Sequence, residues 1–247
     1  MRQLMKGNDA IAEAAVRAGM RFFSGYPITP QTEILEYLSK RLPEVGGTFV
    51  QTESEISGIS MVYGAAATGF RTMTSSSGPG FSLLQEGISY IASAELPCVI
   101  VDVMRYGTGL GDIFQAQGDY LRWSRTGGHG DYRCLVYARP RCRSGGSETL
   151  AFDKAEEHRN PVILLSDASI SQMMEPVEFP EVQAHPIEKP WATTGHGGKR
   201  PHNIVNSLYL KPEDLEDLVR QRFARYEVVK ENEVLVESQY TEDADIV

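Results

Sequence analysis

Residues 51–57, QTESEIS, set two carboxylates, Glu53 and Glu55, directly ahead of a small and apolar run over 58–69. Taken alone, this is a capping box: the Thr52 hydroxyl accepts from the backbone of the third helical residue, and Glu55 reaches back to the start of the helix. A carboxylate in a first helical turn is also favoured by the helix dipole. Thr29, in YPITP, reads as a second N-cap ahead of Pro30 at the first helical position. A hydroxyl beside the free N–H groups of a helix start also suits an anion such as a carboxylate. Arg105 follows the apolar stretch PCVIVDVM. Beyond the carboxyl end of a parallel strand, a guanidinium can clamp a carboxylate through two parallel hydrogen bonds, or stand solvated in a loop. SSSGPG, residues 75–80, is a tight turn between a strand and a helix. It could also cradle a phosphate, but without G-x-G-x-x-G or G-x-x-x-x-G-K-[ST] the turn is the favoured reading. His129, alone in the Gly-rich GGHGDY, reads as structural.

Positioning these residues requires alternating elements. Asn8 or Asp9 can cap a helix whose Ile11, Ala15 and Val16 recur at helical spacing and which stops at Gly19. RFFSGYP then supplies a strand, and ITPQTEILEYLSKRL a helix with Ile34, Leu35, Leu38 and Leu42 on one stripe. GTFVQ is a strand, and the helix that opens at QTESEIS follows it. RTMTSSS, GPGFSLLQEGISYIASAE and LPCVIVDVM continue as strand, helix and a strand apolar enough to be buried on both faces. CLVYA, ETLAFDKAEEHRN and PVILLSDA add strand, helix and strand. The fold class is therefore α/β, a doubly wound and mostly parallel sheet. Residues 105–133 are Gly-rich and aperiodic, the character of a functional loop. From about residue 176 the chain becomes Pro- and His-rich, an extended arm followed by one charged helix, KPEDLEDLVRQRFARYEVV. The expected division is a sheet domain over 1–180 and, over 181–247, the arm, the helix and the start of a further domain at EDADIV.

The totals exclude several functions. With 247 residues the chain can bury one large core, and a net charge of −9 without a Lys/Arg block argues against nucleic acid or an anionic membrane. The first residues lack the apolar stretch of a signal peptide, and no apolar run reaches about 18 residues, so a soluble, cytoplasmic protein is expected. Cys98, Cys134 and Cys142, with no C-x-x-C, frame neither a disulfide scaffold nor a zinc or iron–sulfur site.

GYPITPQTE, QTESEIS, TSSSGPGFSLLQEGISY, ELPCVIVDVMR, GGHGDYR and RNPVILLSDASISQMMEPVEFP occur in that order. Through them the chain resembles the pyrimidine-domain subunit of 2-oxoacid:ferredoxin oxidoreductases, in particular the 2-oxoisovalerate (3-methyl-2-oxobutanoate) type, over nearly its whole length. The resemblance implies a thiamine diphosphate-binding fold in which Glu55 exchanges a proton with N1′ of the aminopyrimidine. That task asks for a carboxyl in apolar surroundings, where lost solvation favours the protonated form. The small residues after Glu55 would let helix and cofactor ring pack closely, and Glu53 would be a solvated neighbour. Thr29 and Arg105 would bind substrate, and Tyr26, Pro27, Ser77 and Gly78 the cofactor. The chain has no metal ligand of its own, since the GDG motif that holds Mg²⁺ and its later Asn are missing. Mg²⁺, the diphosphate and the iron–sulfur clusters would therefore belong to partners, namely a diphosphate-domain subunit and ferredoxin-like (gamma) subunits. Coenzyme A and ferredoxin complete the expected reaction, oxidative decarboxylation of a 2-oxoacid to acyl-CoA and CO₂, with 2-oxoglutarate as the alternative substrate. Other readings are a degenerate, non-catalytic interaction subunit and one half of a non-oxidative thiamine enzyme.

Two stretches depart from the family pattern. RYGTGLG stands where relatives read roughly RGGPGLG, and VYARPRCRSGGSE matches nothing until LAFD restores the likeness. A pair of compensating reading-frame slips across 139–148 is the expectation. The family subunit also continues into a second α/β domain from near ADIV, so a C-terminal domain is expected to be lacking.

Overall fold

A computed structural model of the chain describes residues 2–120, 132–138, 146–179 and 187–235. His129, most of the interrupted stretch (139–145) and the terminal EDADIV lie outside the described residues. In chain order the elements are β1 (Gln3–Lys6), α1 (Gly7–Arg17), β2 (Phe22–Gly25), α2 (Thr32–Glu44), β3 (Thr48–Gln51), α3 (Glu55–Ala67), β4 (Thr72–Ser76) and α4 (Pro79–Ser93). They continue as β5 (Cys98–Met104), β6 (Leu135–Ala138), α5 (Gly146–His158), β7 (Pro161–Asp167), α6 (Ala168–Gln172), β8 (Met174–Val177) and α7 (Pro212–Asn232).

Six strands form one parallel sheet in the order β3-β2-β4-β5-β7-β6. After β3 the chain returns past β2 to lay down β4, so the winding reverses between β2 and β4. Such a reversal opens a crevice beyond the carboxyl ends of those two strands, the usual ligand position in open α/β sheets.

Every residue of β5 and β7 is buried. Successive side chains alternate between faces. Cys98, Ile100, Met104, Ile163 and Leu165 join Ile59 and Val62 of α3 and Phe81, Leu84 and Ile88 of α4 in one cluster. Their neighbours in the strands, Val99, Val101, Val162 and Leu164, are equally buried. They leave that cluster, and α1 packs against α2 and α5 as a separate group of helices. Two covered faces explain why these strands read as unbroken apolar runs. Each fully buried Leu, Ile or Phe contributes about 1.5–3 kcal/mol. Cys98 and Cys134 are free thiols, and burial pushes both up, Cys134 to about 12.

Three helix starts differ from expectation. Asn8 does not cap α1, whose N-cap Lys6 makes no side-chain capping bond. The Asn8 amide instead reaches Pro30 O at 2.7 Å and Glu33 at 2.9 Å, tying α1 to the start of α2. α2 begins at Thr32 with Gln31 as N-cap, not at Pro30 with Thr29. The Thr29 carbonyl that would have opened the earlier turn accepts from Arg105 Nη1 at 2.8 Å. α3 is capped by Ser54, which accepts from Ser57 N, while Thr52 Oγ1 donates to Ser54 O.

An antiparallel ribbon of β1 and β8 pairs Gln3 with Val177 and Lys6 with Met174. Four-residue strands with few apolar positions carry too short an alternation to be read beforehand. Compact packing divides the chain into Met1–Leu208 and Tyr209–Val247, later than the boundary at 180. The arm belongs with the sheet because Lys189 Nζ donates to Gly69 O at 2.7 Å and pairs with Glu156, and Thr193 N donates to Ala67 O at 2.8 Å. Among the described residues no helix is long and apolar enough to cross a membrane.

Candidate active site

The crevice between β2 and β4 is lined by two turns. After β2 the chain runs through Tyr26, Pro27 and Thr29, with Tyr26 39% exposed and Thr29 at the tip. Gln31, fully buried, fixes this turn to the sheet: its Nε2 donates to Tyr26 O at 2.9 Å and its Oε1 accepts from Ser75 Oγ of β4 at 2.7 Å. Pro30 O accepts from both Asn8 and Gln172, which anchors the far side.

After β4 the chain makes the SSSGPG turn. Ser77 is fully buried and its hydroxyl has no partner among the described residues. Gly78, at φ +46°, sits in the left-handed region that glycine favours. A Cβ there would also lie 3.1 Å from Arg105 Nε. Arg105, just past β5, therefore lies against this turn while Nη1 reaches Thr29 O and Nη2 reaches Leu110 O at 2.6 Å. Two of its five N–H donors hold backbone carbonyls and Nε is buried without a partner. The guanidinium is thus pre-oriented by the protein, and the clean two-pronged fork expected from sequence is already partly engaged.

Glu55 is the first residue of α3 and only 5% exposed. It does not reach back to cap the helix, because Thr52 N already donates to Gly25 O at 2.9 Å. The carboxylate turns instead to β4, where Ser76 Oγ donates to Oε1 at 3.3 Å. The start of α3 is pinned against β2 by Ser24 Oγ donating to Gly58 O at 2.7 Å. A Cβ on Gly58 would stand 3.4 Å from Gly25 Cα, so this glycine serves close helix–strand packing. Gly64 faces open space. Within the small-residue run, then, Gly58 brings α3 onto the sheet instead of making room for a ring. Glu53 is exposed, as expected.

Thr29, Arg105, Ser77, Gly78 and Glu55 are thus gathered around one turn, with Tyr26 and Pro27 joined to it through Gln31. Sequence reasoning missed Ser76, Gln31 and Gly80; only Gly80 carried a signal, as one of two glycines in SSSGPG. A cavity of about 570 Å³ opens beside Thr29, lined by Pro30, Glu33, Ile113, Phe114 and Met173 among others. Burial pushes the Glu33 carboxyl up, but its own backbone N–H and the Gln172, Asn8 and Lys6 side chains outweigh this and hold it below its ordinary value. These features fit the aminopyrimidine half of thiamine diphosphate: a buried carboxylate with one hydrogen-bond donor, an unpartnered buried hydroxyl and a glycine-lined turn. The two turns, 24–31 and 75–81, contain no Lys or Arg, so they carry no cationic side chain of their own for the diphosphate half.

Comparison with known proteins gives one consistent picture. Residues 13–237 match the family model described as pyruvate flavodoxin/ferredoxin oxidoreductase, thiamine diphosphate-binding. The chain is 49% identical over 247 residues to the ketoisovalerate oxidoreductase subunit VorB of Methanothermobacter marburgensis, covering 99% of this chain and 70% of the relative. It is 45% identical over 177 residues to the 2-oxoglutarate synthase subunit KorA of Methanocaldococcus jannaschii, covering 71% of this chain and 48% of the relative. Among solved structures, 2-oxoglutarate:ferredoxin oxidoreductase from Magnetococcus marinus, with 2-oxoglutarate, coenzyme A and succinyl-CoA bound, superposes with a TM-score of 0.82 at 30% identity. That match covers 96% of this chain and 46% of the other, so the chain spans under half of the solved protein.

Proposed function

The chain belongs to the thiamine diphosphate-binding family of pyruvate flavodoxin/ferredoxin oxidoreductases, and from that premise we propose that it is the pyrimidine-domain subunit of a VorB-type 2-oxoacid:ferredoxin oxidoreductase acting on 2-oxoisovalerate. The reaction is the coenzyme A-dependent oxidative decarboxylation of the 2-oxoacid to acyl-CoA and CO₂, with two electrons passed to ferredoxin. The observation that carries this reading is Glu55: a carboxylate buried at a helix start, turned away from capping and toward the crevice where the winding reverses.

When bound, thiamine diphosphate supplies a carbon nucleophile and an electron sink for the decarboxylation. Glu55 holds the proton that is shared with the aminopyrimidine, and its burial keeps competing water from the carboxylate. Tyr26, Pro27, Ser77 and Gly78 line the ring site. Arg105, held by two carbonyls, and the Thr29 hydroxyl receive the substrate carboxylate, an orientation that removes part of the entropy of bringing the reactants together. Mg²⁺, the diphosphate and the iron–sulfur clusters are carried by partner subunits. A partner is also supported by the apolar residues exposed on α3 and α4, Ile56 (53%), Met61 (38%), Leu83 (46%) and Tyr90 (47%). They begin one residue after Glu55, where the chain delivering the rest of the cofactor has to abut.

2-Oxoisovalerate is favoured because the VorB likeness runs through 99% of the chain, against 71% for the KorA just described. 2-Oxoglutarate is the second reading, supported by the KorA relatives and the solved neighbour. Side-chain pockets separate such acids by about 1–3 kcal/mol per contact. The test is co-production with the diphosphate-domain and ferredoxin-like subunits. Dye reduction that requires 2-oxoisovalerate and coenzyme A, and is lost in Glu55→Gln while the complex still assembles, is the expected result. Assembly without turnover by the unaltered chain would instead mark a non-catalytic subunit. Product without acceptor reduction would mark a non-oxidative enzyme.

A further inference from the structure

Ser76 is the last residue of β4, fully buried and held in register opposite Asp102 of β5. Its hydroxyl is the one donor that bonds the Glu55 carboxylate among the described residues. The space these two side chains share exists because residue 80 has no side chain: a Cβ on Gly80 would lie 2.1 Å from Ser76 Oγ and 2.3 Å from Glu55 Oε1. Gly80, the second residue of α4, has no positive φ that would call for glycine. Clearance for the Ser76–Glu55 pair is the physical reason for the glycine.

We propose that Ser76 is the positioning residue of Glu55, resting on the reading of Glu55 as the group that activates the cofactor. A carboxylate on a three-bond side chain at a helix start can rotate among several rotamers. A donor fixed by a central strand selects the one in which Oε1 is bound to the protein and Oε2 is left to carry the shared proton. The serine keeps its own proton throughout and takes no part in the transfer. At 3.3 Å the bond is long for O–H···O.

The test is made in the co-produced complex with Ser76→Ala, with Ser76→Cys, which is somewhat larger and only a weak donor, and with Ser76→Thr, which keeps the hydroxyl. Three quantities are read: thiamine diphosphate affinity by calorimetry, exchange of the cofactor C2 proton for deuterium by NMR, and, without cofactor, the infrared carboxylate stretch of Glu55 from the difference against Glu55→Gln. The Ala and Cys variants should bind cofactor within about twofold of the unaltered complex. They should exchange C2–H about tenfold more slowly, equivalent to about 1.4 kcal/mol, and shift the carboxylate band, with Thr restoring all three. Exchange at the unaltered rate in a folded Ala or Cys variant, or an unmoved carboxylate band, would overturn the proposal. So would exchange that falls only in step with affinity, which is the mark of a merely structural serine. Glu55→Gln run in parallel separates the two claims: rapid exchange in that variant removes the reading of Glu55 itself, whereas slow exchange there with normal exchange in Ser76→Ala removes only the role of Ser76.

Discussion

Gly80 gives the residue scale its sharpest case, because one hydrogen-to-methyl change should separate stability from chemistry. In Gly80→Ala the new Cβ would need the space now held by Ser76 Oγ and Glu55 Oε1, 2.1 and 2.3 Å away, while alanine is at least as good a helix former as glycine. The expected outcome is turnover reduced by about ten- to a hundredfold with the complex still assembled, measured by dye reduction and gel filtration; normal turnover would mean that the carboxylate can act from elsewhere. Arg105→Lys is the companion at the proposed substrate position. A lysine has no planar fork to hold both Thr29 O and Leu110 O, so its charge loses its orientation. KM for the 2-oxoacid should rise about tenfold with a smaller change in kcat, read from initial rates. Glu55 and Arg105 drew attention because each adjoins an element with a recognisable period, Glu55 at the start of α3 and Arg105 just past β5, whereas Thr29 lies between β2 and α2 and was singled out by a helix start that the structure moves to Thr32. Ser76 was invisible: a serine closing a strand has no pattern, and its partner lies 21 residues away.

Elements were legible in proportion to their length and to how completely they are covered. β5 and β7, seven residues each and buried throughout, announced themselves as apolar runs, whereas β1 and β8, four residues each and half exposed, did not. Helix starts were harder, because a Ser, Thr or Asn ahead of an apolar run can as well serve a neighbouring element, as Asn8 does for α2. The contact of α1 with α2 carries a pH prediction. Burial pushes the Glu13 carboxyl up, but hydrogen bonds from Arg41 and Arg17, the Arg41 charge and the Tyr37 hydroxyl outweigh it, holding Glu13 below its ordinary 4.5. A depressed carboxylate stabilises the fold above its unfolded value and loses that contribution as pH falls through the folded one. Urea unfolding should therefore show stability level above about pH 5 and declining below about 4.5. Glu13→Gln should lower the plateau by about 2 kcal/mol and flatten the decline; an unchanged slope would leave Glu33 as its main source. The arm supplies a second test. Glu156, with 4% of its side chain exposed, holds both Arg71 and Lys189, so Glu156→Gln leaves two cations under-paired and should cost about 3 kcal/mol in chemical denaturation.

At the scale of the molecule the site is half of one, and that incompleteness has a surface to match. On the proposed reading, thiamine activation uses Glu55 from this chain and a diphosphate grip for which the two crevice turns carry no Lys or Arg. That reading puts the other half over the start of α3, beside Ile56. Exposed Leu83 and Tyr90 extend the apolar character along α4, which packs on α3 through Gly87, where a Cβ would lie 2.3 Å from Ile59 Cγ2. A single exposed leucine on a monomer needs no explanation, but apolar residues on both helices that flank a catalytic carboxylate are what a buried interface core requires. Leu83→Glu places a charge at that core and touches no part of the crevice. Because Leu83 is 46% exposed in the chain alone, the substitution should change its own unfolding free energy by less than about 0.5 kcal/mol. Affinity for the diphosphate-domain subunit should nevertheless fall at least about tenfold, and 2-oxoacid-dependent dye reduction should fall with it and recover as the partner is added in excess. Unchanged co-purification of Leu83→Glu would move the interface to another face, and loss of activity that excess partner cannot restore would mean that the helix acts on Glu55 directly.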